Sequence, residues 1–269
     1  MQQYLDLLRR IQKEGKPRSD VQGVGNIAIC GHMMEFDLND GFPLITTKKM
    51  SFKSAVIELL WYLRGDTDVK YLKENGVTIW DEWVTPEICK QMNLPVGELG
   101  PMYGYQWRRY DGDFDQIAEI VKGLRENPEG RRHKVIAWNP KDVKKVYVAP
   151  CHGDFHIVVI DGVLNMTMTQ RSADTFLGVP YNIACYGLLV MMLAQVTGLK
   201  PGKFVHFLSD VHIYKNHFEQ VKLQLTRTPK PLPRVTLDPS VKEIDDFRWE
   251  HFKLENYVHD PKIPADVAI

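Results

Sequence analysis

Apolar residues Tyr4, Leu5, Leu8 and Ile11 recur near helical spacing, which predicts an opening helix over residues 3–13. In "GNIAICGHMMEFDL" (25–38) apolar runs bounded by glycine predict strand instead. "SFKSAVIELLWYLRGDTDVKYLKENG" (51–76) reads as two helices broken at Gly65, with Ser51 or Ser54 near the first start. Another helix, over 114–128, stops at Asn127-Pro128, because the residue before a proline is driven away from helical angles.

Strands are then expected in "KVIAWN" (134–139), "VYVAP" (146–150) and "FHIVVIDGVLNMTMTQRS" (155–172), with Asp161-Gly162 as a two-residue hairpin turn. A nearly all-apolar helix at 182–197 is too hydrophobic for a surface element. "DVHIYKNHFEQVKLQL" (210–225) reads as a helix capped by Asp210, and "RTPKPLPRV" (227–235) as a loop before a short strand. No repeat, low-complexity segment or linker interrupts the pattern. It predicts one α+β domain over residues 1–269, with sheet and helices interleaved.

Composition narrows the function classes. Hydrophobic residues make up 44% and charged residues 25% of the 269, as in an ordinary globular protein. Lys plus Arg equals Asp plus Glu at 34 each, so no global field favours nucleic acid or a membrane surface, and an anion site must be built from local arginines. Cys30, Cys89, Cys151 and Cys185 are scattered without a CxxC pair, which argues against a metal site or disulfide framework and fits a reducing compartment. The N-terminus has no apolar core of signal-peptide type, and "YGLLVMMLAQV" (186–196) is too short to span a bilayer, so a cytoplasmic location is expected.

Candidate chemistry is spread along the chain. Cys151, in "VAPCHGDF" (148–155), is either a nucleophile or a small apolar filler at a strand end. In "QRSADTFLGVPYNIACYGLL" (170–189) Arg171 needs a partner if buried, and Asn182 is either a helix cap or an amide able to donate and accept, as a pyrimidine edge requires. Arg131–Arg132 is a solvated pair or a phosphate fork. Glu58 lies in an apolar helical run, which raises a carboxyl's pKa toward neutrality. "TIWDEW" (78–83) is either core packing or a wall for a flat ligand.

In order along the chain, "DGFPLITTKK" (40–49), "ELLWYLRGDT" (58–67), "TIWDEW", "LGPMYGYQWR" (99–108), "RR" (131–132), "APCH" (149–152), "QRSADTFLGVPYNIA" (170–184), "DVHIYKNH" (210–217) and "VAI" (267–269) resemble the thymidylate synthase family nearly end to end. The resemblance implies a large twisted mixed β-sheet with flanking helices, dimerising through the sheet face. It also implies reductive C5 methylation of dUMP, with methylenetetrahydrofolate supplying carbon and hydride and no metal taking part. Cys151 would add to C6 of the pyrimidine, Arg171 and Ser172 would hold the phosphate, and Arg131 and Arg132 would reach it from the other subunit. Asn182 would read the base, His212 and Tyr214 the ribose 3′-hydroxyl. Glu58 would order water and move protons, with Tyr103 assisting near the cysteine. Ile79, Trp80, Trp83, Asp174, Gly178, Tyr181 and Ile269 would lie along the folate, Asp174 bonding the pterin. The catalytic set so implied is Cys151, Glu58, Tyr103, Asn182, Arg171 and Asp174.

The sequence departs from that pattern at several positions. "VQGVGN" (21–26) stands where the family usually has Arg-Thr-Gly-Thr-Gly-Thr, so either Arg18 replaces the arginine lost at Val21 or one phosphate arginine is absent. Asp154, His156, Ser209 and Tyr181 also differ from the usual residues, at what read as substrate-side positions. A dUMP or dCMP hydroxymethylase and a dCMP methylase of the same superfamily are the neighbouring alternatives. A thiol hydrolase is disfavoured because successive strand residues, here Cys151 and His152, point to opposite faces. A non-catalytic nucleotide or RNA-binding module is disfavoured by Cys151, Glu58 and Asn182 together.

Overall fold

The computed structural model describes residues 1–20 and 23–268. Its first half runs α1 (Gln2–Glu14), β1 (Lys16–Arg18), β2 (Asn26–Asp37), α2 (Phe52–Arg64), α3 (Lys70–Glu74), α4 (Pro86–Gln91), α5 (Gly104–Arg108) and α6 (Gln116–Glu126). Its second half runs β3 (Lys134–Val135), β4 (Asp154–Ile160), β5 (Val163–Asp174), α7 (Gly178–Thr197), β6 (Lys200–Tyr214), α8 (Phe218–Leu225), β7 (Arg234–Leu237) and β8 (Phe252–Glu255). Local signals account for several boundaries. The Ser51 hydroxyl accepts the Ser54 amide hydrogen to start α2, and Gly65 ends it in the left-handed conformation that glycine adopts without steric cost. Asp161 and Gly162, both at positive φ, make the β4–β5 turn.

Six strands form one mixed sheet in the order β1-β2-β6-β5-β4-β3, and β7 and β8 form a separate pair. Among the described residues only β5 and β6 are parallel, and such neighbours require a crossover, which α7 supplies. α7 therefore packs on β5 and β6 from one side and against α2 from the other, which is why nearly its whole circumference is apolar. By length and composition it is the one helix among the described residues that could cross a membrane, but 83% of its apolar window is buried within the fold. One hydrophobic core joins α1, α2, α7 and the inner sheet face, where Phe155, Ile157, Leu164, Met166, Met168 and Phe204 alternate inward.

The structure corrects four sequence expectations. "VYVAP" forms no strand: a 3₁₀ turn at Val143–Lys145 precedes it and proline ends it. Only Lys134–Val135 of "KVIAWN" pairs with a neighbour. The apolar helix begins at Gly178 rather than at 182, so Asn182 lies inside it and is no cap. Asp210 does not start a helix either. β6 continues to Tyr214 because β2 and β5 flank it on both sides, and helix resumes only after that.

Candidate active site

Cys151 sits half-buried in the loop before β4, not on a strand. Its backbone N–H donates to the Tyr103 hydroxyl at 2.9 Å, and its carbonyl accepts the Arg171 N–H at 2.8 Å. Two residues on, Gly153 has φ +112°, and a Cβ there would lie 2.5 Å from the Ala137 side chain, so the loop requires glycine. Arg171, at the end of β5, wraps this loop: Nε donates to Pro150 O at 2.8 Å, Nη2 to Ala149 O at 2.7 Å, and Nη2 lies 3.7 Å from the Cys151 sulfur. The guanidinium is thus exposed rather than buried, and it rests over the Trp138 ring. Burial pushes the Cys151 thiol up and Arg171 opposes that, leaving the thiol protonated at neutral pH in the free protein.

Tyr103 links this loop to the acid. It is a buried tyrosine at φ +39°, an uncommon backbone region for a bulky residue, held between the rings of Tyr62, His152 and Trp80. Trp80 Nε1 donates to Glu58 Oε1 at 2.8 Å. Burial in α2 raises the Glu58 carboxyl to about 7, against the opposing pull of the Trp80 hydrogen bond. His152 is no partner for the thiol: its ring shares a hydrogen bond with the Tyr186 hydroxyl at 2.8 Å, and burial lowers its pKa to about 3. The thiol-hydrolase reading therefore fails on this contact, not on strand alternation.

On the next strands, Ser172 stands in register with Asp210 and Asp174 with His212. Asp210 shares a hydrogen bond with His212 Nδ1 at 3.1 Å and accepts both Arg18 terminal nitrogens, at 2.7 and 2.9 Å. Partial burial works against its ionised form, yet the bonds from His212 and Arg18 hold its carboxyl well below the usual range. Arg18 is thus committed to Asp210. Val21 and Ile269 lie outside the described residues. Tyr214 packs edge-on against His212. Asp174 accepts the Phe176 and Leu177 amides that lead into α7.

Asn182, buried on the second turn of α7, accepts from Gln170 Nε2 at 3.1 Å. Trp80 is buried, while Ile79, Trp83 and Tyr181 are half-buried and Trp83 faces the exposed Tyr147. Arg131 and Arg132 are exposed just before β3, two strands beyond β5, and their side chains make no hydrogen bond or ion pair among the described residues. Asp154 is occupied structurally: its Oδ1 accepts the amides of Ala137 and Trp138, and His156 stands in register with Lys134.

Sequence reasoning missed three residues here. Lys48 is buried, donates to the Phe176 carbonyl and lies over the Phe176 ring; burial lowers its pKa to about 7, opposed by Asp174. Its only signal was its place in "TTKK". Lys215 projects over Gly25 into a cavity of about 330 Å³ lined also by Arg18, Ser19 and Gly23, a cation that one-dimensional spacing could not place there. His206 reaches Gln170 from the adjacent strand β6.

A family model described as thymidylate synthase matches residues 2–269. The chain belongs to the thymidylate synthase family. The family is one of transferases in nucleotide biosynthesis that in general use dUMP and a folate cosubstrate. Gly178 opens α7 beside Asp174 and Asn182, where a Cβ would meet both at 3.8 Å, ordinary van der Waals contact. With its carboxyl raised to about 7, Glu58 can take up or release a proton near neutrality.

This makes a stability prediction. Unfolded, the Glu58 carboxyl ionises near 4.5; folded, near 7, so the unfolded state loses its proton first and stability falls as pH rises from about 4.5 to 7. His152 and His206, both lowered to about 3, act in the opposite direction over an overlapping range. The informative quantity is therefore the difference between Glu58→Gln and wild type. The variant should gain about 3 kcal/mol relative to wild type between pH 4 and pH 8, measured by urea unfolding. A flat difference would show that the carboxyl is not held neutral by burial.

Proposed function

We propose that this member of the family is a thymidylate synthase proper, converting dUMP and methylenetetrahydrofolate to dTMP and dihydrofolate. The carrying observation is the Cys151 thiol 3.7 Å from the Arg171 guanidinium, connected through Tyr103 and Trp80 to a carboxyl that titrates near neutrality.

Cys151 adds through sulfur to C6 of the uracil as its thiol proton is released, and negative charge builds toward O4 and C5. Arg171 stabilises the thiolate and, with Ser172, holds the phosphate. Both are on β5, and the Arg171 main-chain N–H donates to the Cys151 carbonyl, so the nucleophile's loop is tied to the strand that carries the anchor. Asn182 donates to O4, and Glu58 moves protons through ordered water as C5 gains and then loses its substituents. Folate supplies the one-carbon unit and the hydride. His212 and Tyr214 hold the ribose, with His212 oriented by Asp210. Trp80, Trp83, Ile79, Tyr181 and Asp174 line the folate side and exclude water, which favours hydride transfer over a hydroxymethyl product.

The functional unit on this reading is a homodimer. Met33 and Phe207, in register on β2 and β6, are 54% and 41% exposed on the face opposite the core, an apolar surface suited to a partner sheet. Arg131 and Arg132 then complete the partner's phosphate site. The unpaired cysteines suit a cytoplasmic enzyme.

Product identification tests the reading. Incubation with methylenetetrahydrofolate and either dUMP or dCMP should give dTMP from dUMP, preferred by about one to two powers of ten, since a mismatched buried polar pair costs about 1–3 kcal/mol. Asn182→Asp should shift preference toward dCMP by presenting a carboxyl acceptor to the amino group. A hydroxymethylated product, or wild-type preference for dCMP, would move the chain to one of the neighbouring activities.

A further inference from the structure

Behind Asn182 lies a chain of buried polar groups that the mechanism above does not use. His206 on β6 is fully buried, and its Nε2 is 2.8 Å from Gln170 Oε1. Gln170 Nε2 lies 2.9 Å from the Ser172 carbonyl and 3.1 Å from Asn182 Oδ1. The other ring nitrogen of His206, Nδ1, is buried without a partner among the described residues.

These contacts fix every donor and acceptor in turn. A backbone carbonyl can only accept, so the group of Gln170 facing Ser172 O must be its NH₂. Gln170 then turns its oxygen toward His206, whose Nε2 must carry the proton, leaving Nδ1 bare. The second hydrogen of the same NH₂ points to Asn182, whose facing atom must be the oxygen. Asn182 therefore presents its NH₂ away from Gln170. Burial, helped by the nearby His152, keeps the His206 imidazole neutral, with a pKa lowered to about 3, so one proton on Nε2 is its resting state.

A free asparagine amide can rotate by half a turn and exchange donor for acceptor, so by itself it matches uracil or cytosine equally well. Uracil requires a donor opposite O4 and an acceptor opposite N3–H, whereas cytosine requires the reverse. We propose that His206 is a positioning residue that, through Gln170, locks the amide polarity of Asn182 and so sets discrimination between the two pyrimidine edges. This rests on the reading that Asn182 faces the base. With His206 removed, Gln170 Oε1 keeps no buried donor and the Ser172 carbonyl is left as the one hold on the Gln170 amide, which weakens its grip on Asn182.

The test reads a ratio of dissociation constants, dCMP over dUMP, by calorimetry on the purified full-length protein. His206→Phe keeps a ring against Phe204, 5.3 Å away in the wild type, but removes the donor. His206→Gln restores an N–H near the Nε2 position. The Phe variant should lose discrimination by roughly tenfold, and the Gln variant should stay within about twofold of wild type. A merely structural role would weaken both ligands together, so an unchanged ratio in His206→Phe overturns the proposal, as does an equal loss in both variants. If His206→Phe does not fold by circular dichroism, Gln170→Leu, which removes the middle of the relay, is judged by the same ratio. Wild-type preference for dCMP would overturn the uracil reading, while the relay is still judged on the change in ratio alone.

Discussion

Cys151→Ala should abolish dTMP formation while leaving dUMP binding within a few-fold of wild type. The two contacts that hold the loop at this position are made by the main chain, N–H to the Tyr103 hydroxyl and C=O from the Arg171 N–H, and alanine keeps both. The Arg171 side chain also remains anchored, since its bonds run to the carbonyls of Ala149 and Pro150. Phosphate binding therefore survives, whereas the only group able to form the bond to C6 is gone. Turnover should fall by at least roughly 10³-fold, as when an enzyme loses its covalent nucleophile. Tritium release from C5 of labelled dUMP measures the chemistry and calorimetry the binding. Fluoro-dUMP with folate should add to wild-type Cys151, seen by intact mass, and leave the alanine variant unmodified. A variant retaining a tenth of wild-type turnover would exclude covalent catalysis by Cys151.

Two inactive variants should restore activity when mixed. If Arg131 and Arg132 serve the partner's phosphate, Arg131→Ala/Arg132→Ala has an intact nucleophile but disables the neighbouring site. Cys151→Ala has intact arginines but no nucleophile. Random exchange places both intact sets together in one of the two sites of each heterodimer, and heterodimers make up half of the population. Recovery should approach about a quarter of wild-type activity, the arithmetic of a two-fold symmetric dimer with shared sites. The exposure of both arginines and the lack of side-chain partners among the described residues are what such a role requires in an isolated chain. With exchange verified by native mass spectrometry, no recovery would show that the arginines do not cross the interface.

Much of this protein was legible in one dimension. The helices α1, α2 and α6, the hairpin between β4 and β5 and the burial of α7 depend on signals within a few residues of one another: apolar period, a capping serine, a left-handed glycine, an Asp-Gly turn. The residue types of the candidate site were legible for the same reason, as short motifs in a fixed order, and an acid in an apolar helix already announced the raised pKa of Glu58. What sequence could not decide was partnership across the sheet. Residues 210–214 are strand because β2 and β5 flank them, although their composition suits a helix start, and "VYVAP" has strand composition but no neighbouring strand. Asp154 looked like a change beside the substrate, yet its carboxylate binds the amides of Ala137 and Trp138. Arg18, a candidate phosphate ligand by proximity to Val21, is taken up by Asp210, 192 positions away. Likewise the polarity of Asn182 depends on Gln170 and His206, which the parallel pairing of β5 with β6 brings together. Local chemistry is written in neighbouring residues, but which donor meets which acceptor is set by register, and register exists only once the strands have paired.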